Sequence, residues 1–417
     1  MSVKMKILLR GPVLTRTGYG EHARFVLRSL RSKPDIFDIY IQPLAWGQTS
    51  WTAEMTEERT WIDQAIQKTL MYIQQGGSFD VSIQVTIPNE FEKIAPINIG
   101  VTAGIETNKV SGPWLQKAND MDRVIVVSEH SKAVFENTQY NATNTVTQEQ
   151  LLYGLTTPIH SVGYPVKTFD SLAPLDLDLE PDFNFLAVAQ VSPRKNIQNT
   201  IKWFFEEFKD DNVGLVLKGN MAKNCLMDRL QLMHNLKTTI PDIENTDYKC
   251  KFYLLHGDMT EAEIHSLYSH PKIKALVTFA HGEGFGLPVF EAAYMGLPIV
   301  APGFSGYLDF LKGENGEFHF YDVGYDLNKV QQEAVWENII VEDSMWAYAR
   351  EQSAKEKMRE CYQDVLNETG FAATASDYAK ELSTRYHEEA QYKKFIEALD
   401  LETDADWLLQ QSEIELL

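Results

Sequence analysis

The feature that most constrains this chain is a succession of short apolar runs, each closing on a turn. MKILLRG, DVSIQVTIP, INIGVTAG and DRVIVVSEH occupy the first half; FNFLAVAQ, VGLVLKG, KFYLLHGD, ALVTFA and LPIVAPG occupy the second. A strand that is apolar throughout must be covered on both faces, which is the condition of a parallel sheet between two layers of helices. Helical patterns between the runs supply those layers, so the chain reads as doubly wound α/β units. At 417 residues it exceeds one ordinary core and suits two domains. SLAPLDLDLEPD, residues 171–182, reads as the linker between them, and its Asp176 and Asp178 as linker acids rather than metal ligands. The expected division is 1–172, 183–345, and a helical 346–417 that packs back on the first domain. Past about residue 330 the pattern turns amphipathic and helical.

Composition excludes some classes. No apolar run approaches the ~18 residues that span a bilayer, so no membrane span is expected. MSVKMKILLRGPV reads as a first strand, not a signal peptide. Cys225, Cys250 and Cys361 are scattered and odd in number, which favours a reducing, cytoplasmic setting. The formal net charge of −21 repels nucleic acid and acidic membranes. Locally the balance differs. Lys4, Lys6, Arg10, Arg16, Arg24, Arg28, Arg31 and Lys33 face Glu21 alone in the first 33 residues, whereas the stretch from Glu397 onward carries only acids. A local basic face is therefore one option, beside an ordinary solvated helix.

Ligands of open α/β sheets sit outside the carboxyl ends of the strands, so the chemistry belongs in the turns that follow them. After ALVTFA comes His281-Gly-Glu-Gly-Phe-Gly-Leu-Pro288 and then a helix. Gly284 and Gly286 let a backbone approach a ligand, and free N–H groups at a helix start attract an anion. Two carboxylates, Glu283 and Glu291, flank that anion site. They would repel phosphate but accept hydrogen bonds from hydroxyls. A diphosphate flanked by two polyols is a nucleotide-sugar. Its charge needs cations, and Arg194, Lys195 and Lys218 follow neighbouring strands. His256 closes another strand, in a loop suited to meet a nucleotide base, although a lone histidine there is more often structural. In the first half, Gly11, Gly18 and Gly20 read as a flexible loop before a helix, able to touch a phosphate across the cleft. The absence of GxGxxG argues against a nicotinamide oxidoreductase. Glu106, Ser128 and Lys132 also follow strands. Tyr19, Trp46 and Trp51 offer stacking faces to an acceptor, with ordinary packing as the commoner role of a tryptophan.

These residues carry a resemblance. Glu283-Gly-Phe-Gly-Leu-Pro-x-x-Glu291-Ala, followed by Gly296 to Val300, resembles the E-x7-E signature of GT-B fold glycosyltransferases of retaining family 4. The resemblance spans roughly residues 6–345. It implies two Rossmann-like domains facing a cleft, with C-terminal helices. The first domain would hold the acceptor, the second a nucleotide-sugar, with a UDP-sugar favoured and no metal required. Glu283 would hold sugar hydroxyls, Glu291 the ribose and Lys195 the diphosphate. Backbone groups of Phe285, Gly286 and Leu287 would approach sugar and phosphate. The catalytic set would be Glu283, Lys195 and Glu106; Tyr19, Glu106 and Trp46 would face the acceptor. Two departures stand out. Ala189-Gln190 replaces a Gly-Arg pair, so Arg194 or Lys218 would substitute, and Glu106 stands where many relatives carry a histidine. The stretch RGPVLTRTGYGEHARFVLRSL is also similar to glycosyltransferases of large tailed phages. That brings DNA carrying 5-hydroxymethylcytosine in as an acceptor class, beside glycan, lipid or protein. A GT-B protein that binds nucleotide-sugars without catalysis is the remaining alternative.

Overall fold

The structure, a computed structural model, describes residues 4–401 apart from 48, 144, 145, 147 and 314. The acid-only tail beyond residue 401, part of the expected helical segment, lies outside the described residues.

The first sheet draws on β1 (Met5–Gly11), β2 (Phe37–Pro43), β3 (Val81–Val85), β4 (Ile97–Val101) and β5 (Arg123–Val126). A hairpin of β6 (Tyr140–Thr143) and β7 (Gln150–Tyr153) follows, and then β8 (Ile159–Ser161) closes the sheet. Its order is β2-β1-β3-β4-β5-β8, parallel throughout. The second sheet contains β9 (Asn184–Gln190), β10 (Gly214–Asn220), β11 (Lys251–Leu255), β12 (Ile273–Val277), β13 (Ile299–Pro302) and β14 (Tyr321–Val323). Its order is β11-β10-β9-β12-β13-β14, again all parallel. The apolar runs become strands because both faces are covered: Leu8 and Leu9, Ser82 and Ile83, and Val216 and Leu217 are neighbours pointing to opposite faces, and all are buried.

Helices α1 (Gly18–Arg31), α2 (Glu57–Gln74), α3 (Gly112–Asn119) and α4 (Glu129–Asn137) belong to the first half. The second has α5 (Ile197–Phe208), α6 (Leu226–Thr239), α7 (Glu261–Tyr268), α8 (Leu287–Tyr294) and the short α9 (Leu308–Leu311). Three C-terminal helices follow: α10 (Glu351–Asn367), α11 (Gly370–Arg385) and α12 (Glu388–Leu399). Helices α10 and α11 pack on the second sheet and α8. Helix α12 returns to the first half, where Phe395 meets Phe25 of α1 edge-on at 5.6 Å. The 171–182 segment has no regular structure but is not loose, because Leu179 is buried in the core.

Two expectations fail, and one option closes. The chain does not turn helical at about 330. Residues 325–349 form an antiparallel hairpin, β15 (Tyr325–Lys329) with β16 (Met345–Ala349), and the helix starts at Glu351. Trp346 and Ala347 of MWAYA are buried, and that packing decides for the strand. Gly18 and Gly20 are not in a loop but open α1, with Thr17 capping the Gly20 N–H at 3.0 Å. A Cβ at Gly20 would lie 2.0 Å from the Thr15 carbonyl, so its smallness serves packing. The basic N-terminal face is also not free. Arg10 is paired with Glu92, Arg16 with Glu54, Arg24 with Glu21, and Arg28 with Glu58.

Candidate active site

In the second sheet the chain leaves the centre in both directions from β9 and β12. Loops diverge at such a switch point and open a crevice. The loop after β9 carries Arg194 and Lys195 on a 3-10 turn, Pro193–Lys195, which is followed by Asn196 in the left-handed region. The loop after β12 is the glycine turn. The His281 N–H donates to the Arg194 carbonyl at 2.9 Å and ties the two loops together.

The cations and the first carboxylate meet there. Arg194 donates to Glu283 at 2.8 Å and to the Gly282 carbonyl at 2.7 Å, while Lys195 donates to the other oxygen of Glu283. Across the cleft, Glu106 lies 3.4 Å from Arg194. Burial pushes the Glu283 carboxyl up, but Arg194 and Lys195 outweigh it and hold the group at about 2, below its ordinary 4.5. The same burial lowers Lys195 despite its partner. Two cations and two carboxylates thus balance in a confined volume. Two desolvated cations suit an anionic ligand, and a carboxylate with two oxygens retains acceptor capacity for hydroxyl groups.

Lys218 does not join this cluster; it donates to the Gly257 carbonyl one strand further out. His256 is tied to a neighbouring loop. Its ring bonds Asp228 at 2.9 Å, and Asp228 gathers the N–H groups of Met221, Ala222 and Lys223.

Glu291 lies in α8, which has Pro288 in its first turn, and it faces α7. The Tyr268 hydroxyl donates to it at 3.0 Å. Burial raises the Glu291 carboxyl to about 7, against the pull of Lys167. Lys167 is itself 3.1 Å from both Glu21 and Glu261. Sequence reasoning missed Lys167 and Tyr268. Lys167 stands in an aperiodic stretch, and Tyr268 at the end of α7 looks like any packing aromatic.

The glycines of this turn also make close contacts within the chain. A Cβ at Gly282 would lie 2.0 Å from the Glu106 carbonyl, and one at Gly284 would lie 2.1 Å from the Ala103 carbonyl. Their close approach is to the backbone of the opposite half. The Ser128 hydroxyl adds a 2.6 Å bond to the Gly284 carbonyl. Gly286, at φ 92°, does need glycine freedom at the start of α8. The Phe285 ring packs between the halves, 5.0 Å from Tyr164. Leu287 opens α8. In the first half, Tyr19 bonds Thr102 at 2.8 Å and its ring lies 4.3 Å from Trp46. Trp51 is exposed. Among the described residues, no three His, Cys, Asp or Glu side chains are grouped to hold a metal, and no helix is long and apolar enough to cross a membrane.

Two parallel sheets with their strand ends turned to one crevice, and a charged switch-point site, define the GT-B class. The comparisons with known proteins agree: residues 177–322 match the family described as glycosyl transferases group 1. It is 29% identical over 199 residues to the serotype-specific mannosyltransferase WbdA of Escherichia coli, over 45% of this chain and 22% of that protein. The match therefore spans about a fifth of that relative's length. Sucrose-phosphate synthase from Thermosynechococcus elongatus shares the fold with a TM-score of 0.58 and 12% identity, over 98% of this chain and 100% of that one. A glycosyltransferase from Rickettsia africae has a TM-score of 0.54 at 12% identity, over 95% and 98%.

Proposed function

We propose that the protein transfers a sugar from a nucleoside-diphosphate donor to a hydroxyl acceptor, with the transferring centre beside Glu283. The observation that carries this reading is the convergence of Arg194, Lys195 and Glu283 at the switch point, facing Glu106 across the cleft. The group 1 match supports it. Lys195 and Arg194 stabilise the departing diphosphate, and Glu283 and Glu106 position the sugar and the incoming hydroxyl. The α8 N-terminus adds N–H groups for the phosphate, and Glu291 takes the ribose. No metal takes part, and the configuration at the anomeric carbon is retained, as the family resemblance implies. The first half serves as the acceptor domain and residues 183–345 as the donor domain. The mannosyltransferase relative makes a hexose, mannose first, the sugar to try.

For the acceptor, a glycan, lipid or protein hydroxyl stands ahead of 5-hydroxymethylcytosine in DNA. The basic segment that favoured DNA is neutralised by Glu54, Glu58 and Glu92. The decisive experiment incubates the protein with a panel of nucleotide-sugars and hydroxyl acceptors, plain and hydroxymethylated DNA included, read by mass spectrometry. The expected result is a hexose added to one acceptor class, with donor hydrolysis in its absence. Binding of the donor without transfer or hydrolysis would leave a binding protein instead. The anomeric configuration of the product, read by NMR, tests retention.

A further inference from the structure

We infer that the donor's base is guanine, read by Asp258 at the mouth of the cleft. This rests on the glycosyltransferase reading above and narrows its donor.

A cavity of about 470 Å³ is lined by Thr49 and Ser50 from the first half and by Lys223, Asn224, Cys225 and Asp258 from the second. The second group belongs to the loops after β10 and β11. Strand order places the ends of β12, β9, β10 and β11 side by side. Glu283, Lys195 and Asp258 follow β12, β9 and β11, and Lys218 lies near the carboxyl end of β10 between the last two. At about 4.8 Å between neighbouring strands the row is about 14 Å long. A ligand with its sugar at Glu283 and its diphosphate at Arg194 and Lys195 reaches the end of β11 with its base. The cavity lies at the end of the row away from Glu283.

The loops around it are fixed. Asn224 donates its amide to Asp258, Arg16 crosses the cleft to within 3.9 Å of the same carboxylate oxygen, and Arg16 also donates to the Met259 carbonyl at 3.3 Å. Asp228 holds the 221–223 amides in place.

A carboxylate accepts and never donates, so it selects an edge with adjacent N–H donors. Guanine offers two side by side, N1–H and the N2 amino group. Uracil offers one N–H between two carbonyls that a carboxylate repels. Adenine and cytosine set an amino group beside a bare ring nitrogen. Guanine's O6 and N7 are acceptors, and Lys223 and the Asn224 amide are the donors lining the same cavity. The uridine base expected from the family resemblance is the competing arm.

The test is calorimetric titration of the full chain with GDP, IDP, UDP and ADP, repeated on Asp258→Ala. GDP should bind at least tenfold more tightly than UDP or ADP. IDP, which lacks the N2 amino group, should fall between GDP and UDP. Asp258→Ala should weaken GDP about tenfold and change UDP by less than twofold. Tighter or equal binding of UDP, equal binding of GDP and IDP, or a uniform loss in the variant would overturn the guanine assignment and leave the glycosyltransferase reading standing. Failure of all four to bind would overturn both.

Discussion

Glu283 and Glu291 flank the same helix start, and their surroundings treat them in opposite ways. Both are largely withdrawn from water. Glu283 faces two cations and is held at about 2; Glu291 faces a tyrosine hydroxyl and one lysine already shared with Glu21 and Glu261, and rises to about 7. The same residue type therefore yields a permanent anion at one end of the site and a group that titrates near neutrality at the other. Local partners decide which, since burial acts alike on both.

The comparison breaks most visibly at Glu283. Glu283→Ala leaves Arg194 and Lys195 buried without their shared partner. It should cost about 3–5 kcal/mol of stability, seen in denaturant melts, and abolish measurable transfer. Glu283→Gln keeps the volume and should recover part of the stability but not the turnover. A Glu283→Ala protein with normal transfer would remove the sugar-end role.

The second prediction concerns pH. A carboxyl raised from 4.5 to about 7 on folding stabilises the protein fully below 4.5, and that contribution disappears as pH rises through 7. At about 1.4 kcal/mol per pH unit, up to about 3 kcal/mol is lost between pH 4.5 and 8. Glu283 has the opposite sign: its contribution is present above 4.5 and is lost as pH falls through about 2. Glu291→Gln should flatten the neutral-side slope in melts from pH 5 to 8 and leave the acid limb unchanged. Donor affinity should rise from pH 6 to 8 in the parent protein, because the carboxylate is the better acceptor for ribose hydroxyls, and stay flat in the variant.

The smallest effect lies at the edge of the cleft. Lys109 pairs with Asp343 across the two halves, and that aspartate is 60% exposed. Lys109→Ala should cost less than about 1 kcal/mol and fade further in high salt. The contrast with Glu283 measures what burial adds to an ion pair.

Much of this arrangement is legible in the chain. Nine apolar runs become strands, because a strand buried on both faces leaves a continuous apolar signature. Strand β2, FDIYIQP, escapes that reading. It is an edge strand with Asp38 and Gln42 toward solvent, and its apolar run is broken. The 325–349 hairpin is missed because MWAYA has helical as well as strand character until Trp346 is packed. At the site, Glu283, Arg194 and Lys195 follow from the rule that chemistry sits after strands, and Glu106 from its place after β4. That Arg194 and Lys195 converge on Glu283 while Lys218 stays apart is decided by side-chain reach, which spacing does not encode. Lys167 and Tyr268 come from an irregular segment and a helix end, where no periodicity points inward.

The contact at Gly282 and Gly284 has a consequence for how such a molecule diversifies. Gly282 and Gly284 meet residues 103–106 through main-chain carbonyls, which are the same whatever side chains those positions carry. Substitutions at Ala103 can therefore accumulate without unseating the second half, provided the two glycines stay; Glu106 is excluded, because its carboxylate pairs with Arg194 across the cleft. The pair works as a standard coupling, indifferent to what is attached on the other side. Libraries that vary the first-half loops and hold Gly282, Gly284 and Glu106 constant should keep the fold, read by circular dichroism and thermal melts.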